Sequence, residues 1–237
     1  MTDLKGLLFD KDGTLFDFAE SWASVLDSVL SAFSDDPGLQ SQMGHAIGYD
    51  REAKAFQPGS ACVAGAVADI AQALAPHLPH LSVGQIEIIV NAAGESPEAA
   101  HGLSPAVPDL PGFTAGLVKA GYVLGVATHD SEAAARLHLA KVRCLDNFAF
   151  IAGYDSGHGW KPGPGMLLAF AQATGLDPSE IAMIGDSEHD LGVAPAAGAA
   201  MAIGVLTGPA TREDLAPLAD HVLDSIGDLP NLLGIRL

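Results

Sequence analysis

The hydrophobic pattern of the chain falls into short, unbroken apolar runs that alternate with longer segments of helical period. Runs at 7–9, 123–127, 148–151, 181–184 and 201–205 have the length and continuity of strands buried on both faces, and 221–223 is a sixth candidate. Between them, 113–120, 132–142, 164–174 and 188–197 read as helices. Gly121, Gly175 and Gly198 stand where helix C-caps belong, and Pro164 suits a first helical turn, where its missing N–H does not matter. Strand and helix alternate from about residue 107 to the end. That predicts an α/β fold: a Rossmann-like parallel sheet with helices on both faces.

Residues 17–106 break this alternation and read as helices only. Trp22, Val25, Leu26, Val29, Leu30 and Phe33 recur at helical spacing, 60–75 is rich in small apolar residues, and Ser82-Val-Gly-Gln85 has the form of a capping box. Pro and Gly clusters at 57–60 and 104–111 mark turns or hinges, and 35–38 is an acidic turn. The expected organisation is a core of residues 1–16 and 107–237, with an all-helical module of residues 17–106 inserted after the first strand.

Composition narrows the function. The formal net charge is −18, with only 11 Lys and Arg, scattered, so the phosphate-binding patch of a nucleic-acid binder is missing. No apolar run approaches the roughly 20 residues of a membrane helix, and the first residues lack the pattern of a secretory signal. A soluble cytoplasmic protein with no nucleic-acid or membrane partner is expected. Cys62 and Cys144, far apart, read as buried free thiols.

Four polar stretches fall at strand ends or in the loops that follow, the edge where open parallel sheets bind ligands. They are Asp10-Lys-Asp-Gly-Thr-Leu15, Val126-Ala-Thr-His-Asp130, Lys161-Pro-Gly-Pro-Gly165 and Ile184-Gly-Asp-Ser-Glu-His-Asp190. Asp10 and Asp12 repel each other at close range, so a cation or a proton must compensate them. A helix starting near Glu188 lets Asp186 and Asp190 face one point, and Asp130 or Ser131 is expected to cap the helix after 123–127.

Taken in order, these motifs resemble those of the haloacid dehalogenase superfamily of phosphatases, along the whole chain and including an all-helical insert after the first motif. The resemblance implies that Asp10 is a nucleophile forming an aspartyl-phosphate and that Asp12 is the general acid and base. It implies Mg²⁺ on the Asp10 carboxylate, the Asp12 carbonyl and Asp186, with Asp190 binding the ion or one of its waters. Thr128 and the loop at His129 would bind the phosphoryl group, and Lys161 would neutralise it and keep Asp10 ionised. The implied substrate is a small phosphorylated metabolite, with phosphoglycolate-like molecules as a candidate, and the protein a monomer or homodimer. A phosphomutase of the beta-phosphoglucomutase type and a non-catalytic phosphate or metal sensor on the same fold stay open.

Several positions depart from the family pattern. His129 stands where Asn is frequent and could tune pH dependence. Lys11 stands where an apolar residue is common, and alternation around the strand end predicts that it points away from Asp10 and Asp12. Gly163 and Gly165 are expected to loosen the Lys161 loop. In the helical module, a cap in such a protein, Arg51 and Lys54 are the only Lys or Arg residues between Asp12 and Lys119. Either one, or a backbone nest around Pro58, Gly59 and Ser60, is a candidate to meet an anionic leaving group. Tyr49 and Phe56 read as pocket lining or as module core, and His45, His77, His80 and His101 as surface or structural.

Overall fold

The computed structural model describes residues 4–57, 59–94 and 103–236. These form two compact units, one from the chain up to Phe18 and from Ser104 onward, the other from the stretch between. In chain order the strands are β1 (Gly6–Phe9), β2 (Tyr49–Asp50), β3 (Ala55–Phe56), β4 (Val123–Ala127), β5 (Phe148–Ala152), β6 (Ile181–Gly185), β7 (Met201–Val205) and β8 (His221–Leu223).

The first unit is organised by a six-stranded sheet in the order β5-β4-β1-β6-β7-β8, with every pairing parallel. β1 lies between β4 and β6, and Phe9 is level with both Val126 and Ile184. The residues that leave these three strands therefore emerge side by side. β1 and β6 are buried at every position, which requires cover on both faces. The cover comes from helices such as Leu110–Lys119, Glu132–Lys141, Gly165–Thr174 and Glu188–Ala197. Asp109 caps the first of these by accepting the Gly112 N–H at 2.9 Å, so it starts three residues before the apolar period suggested. Gly175 and Gly198 end their helices in the left-handed conformation. The two segments that connect the units run past each other inside this unit: Asp17 N–H donates to Ser104 and Ala106 N–H to Leu15.

The second unit contains the helices Phe18–Phe33, Pro37–Ile47, Ala61–Ala64, Val67–Leu74 and Val83–Gly94. Leu26, Val29, Leu30, Met43, Ile47, Ile70, Leu74 and Ile86 form its core. The Ser82–Gln85 capping box is present: Ser82 N–H donates to the Gln85 side chain at 2.9 Å, and Gln85 N–H to Ser82 Oγ at 3.3 Å. The unit is not helical throughout, however. β2 and β3 pair as an antiparallel ladder, with the Asp50 carboxylate accepting the N–H groups of Glu52 and Ala53 in the turn. Tyr49 stacks on Phe56 at 5.0 Å and is fully buried, so this pair belongs to the unit's core. Both cysteines are free and buried. Pro58 and His101 lie outside the described residues. No helix among the described residues is long and apolar enough to cross a membrane.

Phe170 joins the helix Gly165–Thr174 to the sheet. It is fully buried, and a Cβ on Gly125 of β4 would come within 2.8 Å of its ring. Phe170→Ala should destabilise the protein by about 3–5 kcal/mol in urea unfolding; a loss below about 1 kcal/mol would contradict this packing.

Candidate active site

The loop after β1 is wound around one carbonyl. The Lys11 oxygen accepts the N–H groups of Leu15 and Phe16 at 2.9 and 3.1 Å, while Asp10 N–H still bonds Ile184 of β6. This tight turn needs Gly13 at φ +87°, and a Cβ there would lie 2.5 Å from an Asp186 oxygen. A Cβ at Gly208 would lie 1.7 Å from the same oxygen. Thr207 Oγ1 closes the loop by donating to the Gly13 carbonyl at 2.6 Å. The segment at Thr207 and Gly208 carries no reactive group, and its sequence gives no sign of this role.

Asp10, Asp186 and Asp190 converge: each places a carboxylate oxygen within 4.8 Å of the others, and all three are buried. Lys161 Nζ bonds Asp10 Oδ1 at 2.5 Å and Asp190 Oδ1 at 2.6 Å. The other Asp190 oxygen accepts from Ser187 N–H and Oγ, capping the helix Glu188–Ala197. Burial, then the neighbouring carboxylates, push Asp10 up to about 7 against the opposing pull of Lys161. Asp186 is raised well above its ordinary value, by burial first and then by Asp190 and Asp10. Burial pulls Lys161 down, but Asp10 and Asp190 outweigh it and hold its ammonium above the ordinary lysine value. Three carboxylates face one ammonium. The unbalanced negative charge and the all-oxygen donor set fit a hard divalent cation such as Mg²⁺.

Thr128 follows β4 and is buried; its Oγ1 accepts the Asp130 N–H at 3.1 Å. Ser131 caps the helix Glu132–Lys141 by accepting from Ala134. His129 points its ring at the next motif: Nε2 accepts the Lys161 backbone N–H at 3.1 Å. Burial first, then Lys161, hold His129 down at about 4, so Nε2 is unprotonated near neutral pH and free to accept. The Lys161 loop is tighter than its glycines suggested. Gly163 N–H bonds the Trp160 carbonyl at 2.8 Å, and a Cβ on Gly165 would lie 1.8 Å from the His158 carbonyl oxygen. These glycines permit close backbone approach and do not loosen the loop.

Asp12 stands outside the carboxylate triad, and Lys11 does not point away from it. Lys11 Nζ reaches both Asp12 oxygens at 2.7 Å. The alternation expected of a strand fails because β1 ends at Phe9 and the chain has already turned. Burial pulls the Lys11 ammonium down, and Asp12 and Asp130 outweigh that pull.

In the second unit, Arg51 Nε donates to Asp27 at 2.9 Å and its Nη1 to Gln40, bracing two helices together. Ser60 N–H is taken by the Gln57 carbonyl, so it does not contribute to a nest; Gly59 is exposed at φ +71°. Lys54 is exposed, makes no ion pair among the described residues, and lines an open groove of about 710 Å³ with Glu20, Ser24, Asp27, Ser28 and Ser31.

The chain is similar to phosphoglycolate phosphatase 1 of Pseudomonas aeruginosa, at 27% identity over 94% of this chain and 77% of that protein. It is similar to phosphoglycolate phosphatase of Escherichia coli, at 28% identity over 98% and 94%. The fold matches the crystal structure of an HAD phosphatase from Thermococcus onnurineus with a TM-score of 0.64, at 20% identity over 99% of this chain and all of that one. It also matches a hydrolase from Pseudomonas syringae with a TM-score of 0.68, at 22% identity over 97% and 98%. The family model for haloacid dehalogenase-like hydrolase matches residues 4–198, and with it the sheet edge that gathers Asp10, Lys161, Asp186 and Asp190: this chain belongs to the haloacid dehalogenase-like hydrolases.

Proposed function

We propose that this phosphatase of the haloacid dehalogenase-like family hydrolyses small phosphate monoesters with Mg²⁺ in two steps, through a phosphoryl group carried on Asp10, and that its substrates are phosphoglycolate-like. The observation that carries the reading is the buried Asp10 carboxylate at the end of β1, held by Lys161 beside Asp186 and Asp190.

In the first step an Asp10 oxygen bonds phosphorus while the bond to the leaving group breaks. Asp12 gives its proton to the departing oxygen, so the leaving group departs as an alcohol. In the second step Asp12 takes a proton from the water that attacks the phosphoryl group, and Asp10 is regenerated. Lys161 and the Thr128 hydroxyl would bond the phosphoryl oxygens, and His129 holds the Lys161 backbone. Asp10, Asp186, Asp190 and the Asp12 carbonyl would hold Mg²⁺, which supplies positive charge for the phosphoryl oxygens.

The substrate assignment rests on two supports. The relatives in Pseudomonas aeruginosa and Escherichia coli are phosphoglycolate phosphatases. Of the two cations in residues 19–103, taken here as the cap, Arg51 is engaged within the unit and Lys54 is not. Lys54 is therefore assigned to the leaving-group carboxylate.

Purified protein should release inorganic phosphate from 2-phosphoglycolate with Mg²⁺, and neither EDTA-treated protein nor Asp10→Asn should do so. Release that persists in Asp10→Asn would overturn the reading, and isomerisation dependent on a bisphosphate would point to the mutase. Lys54→Ala should raise KM for 2-phosphoglycolate about tenfold and leave p-nitrophenyl phosphate within about twofold. Arg51→Ala should lower stability by less than about 1 kcal/mol and spare that selectivity. The opposite pattern would give the role to Arg51.

The raised Asp10 carboxyl has a consequence for the cation-free protein. Its folded value lies above the ordinary 3.8, so its contribution to stability is present at low pH and is lost as pH rises from about 4 to about 7. In EDTA, Asp10→Asn should melt about 5 °C above the parent at pH 7.5, with the gap closing toward pH 4. A gap that does not change with pH would contradict the burial of an unbalanced charge at this site.

A further inference from the structure

Lys11 is among the largest fully buried side chains of the protein and has no part in the chemistry above. Its ammonium has three hydrogens and three acceptors around it: the Asp12 carboxylate at 2.7 Å, Asp130 Oδ2 at 3.1 Å and His138 Nδ1 at 3.1 Å. The Phe16 ring lies 6.0 Å from Nζ. Two of these partners are fixed from elsewhere. Asp130 donates its N–H to Thr128 Oγ1 and accepts the Ser131 N–H at 2.8 Å, and His138 is buried in the helix Glu132–Lys141. Lys11 is also held at its other end, since its carbonyl anchors the turn after β1. The Asp12 side chain, 13% exposed where that of Lys11 is 0%, is the member of this cluster that follows the nucleophile in the same turn.

A buried ammonium with two carboxylates gains little stability over an apolar residue of similar volume, because desolvation offsets the attraction. What it does supply is direction. We propose that Lys11 is a positioning residue for proton transfer: anchored on Asp130 and His138, it fixes the Asp12 carboxyl group against the leaving-group oxygen and ties that group to the Thr128 loop. The inference rests on Asp12 being the general acid and base. With Lys11 replaced by an apolar residue, Asp12 loses its anchor, and proton donation to the departing oxygen fails while attack by Asp10 persists.

Leaving-group dependence separates these effects. An alkyl phosphate needs a proton on its departing oxygen, whereas p-nitrophenyl phosphate leaves as a stable phenolate. The value of kcat/KM reports the phosphorylation step for both. The experiment measures it for 2-phosphoglycolate and p-nitrophenyl phosphate with Asp12→Asn, Lys11→Met and Asp130→Asn. Lys11→Met should lower the alkyl value by about tenfold or more and leave the aryl value within about threefold, as Asp12→Asn does more strongly. If Asp12→Asn shows that split and Lys11→Met lowers both values equally, or neither, the positioning role is overturned and the role of Asp12 stands. If Asp12→Asn shows no split, the reading of Asp12 fails, and this inference with it. Should Lys11→Met not fold, Asp130→Asn keeps the ammonium and removes one anchor. Its alkyl-to-aryl ratio should fall about threefold, and an unchanged ratio would overturn the proposal.

Discussion

The contact between Lys161 and the carboxylates of Asp10 and Asp190 sets the terms for the rest of the structure. One ammonium at 2.5 and 2.6 Å from two buried carboxylates, with a third beside them, contributes little to stability, because desolvation offsets the attraction. It requires three separate chain segments to arrive at one point: the end of β1, the end of β6 with the start of the helix that follows it, and the loop after β5. The parallel sheet provides this through register, because Phe9 is level with Ile184 and the next residues emerge together. The negative charge left over, with its all-oxygen donor set, suits a hard cation.

The same device recurs a few residues away. Lys11 is buried among Asp12, Asp130 and His138 much as Lys161 is buried between Asp10 and Asp190. Each lysine ties loops from different strands, and the two carboxylates of the first motif, Asp10 and Asp12, are divided between them. Repulsion between those carboxylates is thereby met by two separate ammonium groups. His129 adds a neutral tie, from the loop after β4 to the backbone of Lys161.

Much of this was legible in the sequence, because buried parallel strands and their helices leave a clear period and because carboxylates at strand ends stand out. The parallel sheet follows from the apolar runs, and 221–223, the weakest of them, forms the edge strand β8. What was not legible depended on the path of the chain between elements. The β2–β3 ladder is two residues per strand and is set by the Asp50 turn, below the length at which a period can register. Lys11 does not follow strand alternation because the chain has already turned after Phe9, and nothing in the sequence marks that point. Gly163 and Gly165 looked like slack and are close approaches of backbone to backbone. Thr207 and Gly208, which support the site, carry no chemistry and so no signal. Arg51 and Lys54 could not be told apart until the structure committed one of them to Asp27 and Gln40.

The central claim is that the phosphoryl group passes through Asp10. The most direct measurement is acid quenching of the protein during turnover of 2-phosphoglycolate with Mg²⁺, followed by peptide mapping by mass spectrometry. The account predicts an acyl phosphate on the peptide bearing Asp10, released by hydroxylamine and missing in Asp10→Asn. Phosphate found on another residue, or steady turnover in Asp10→Asn, would contradict it.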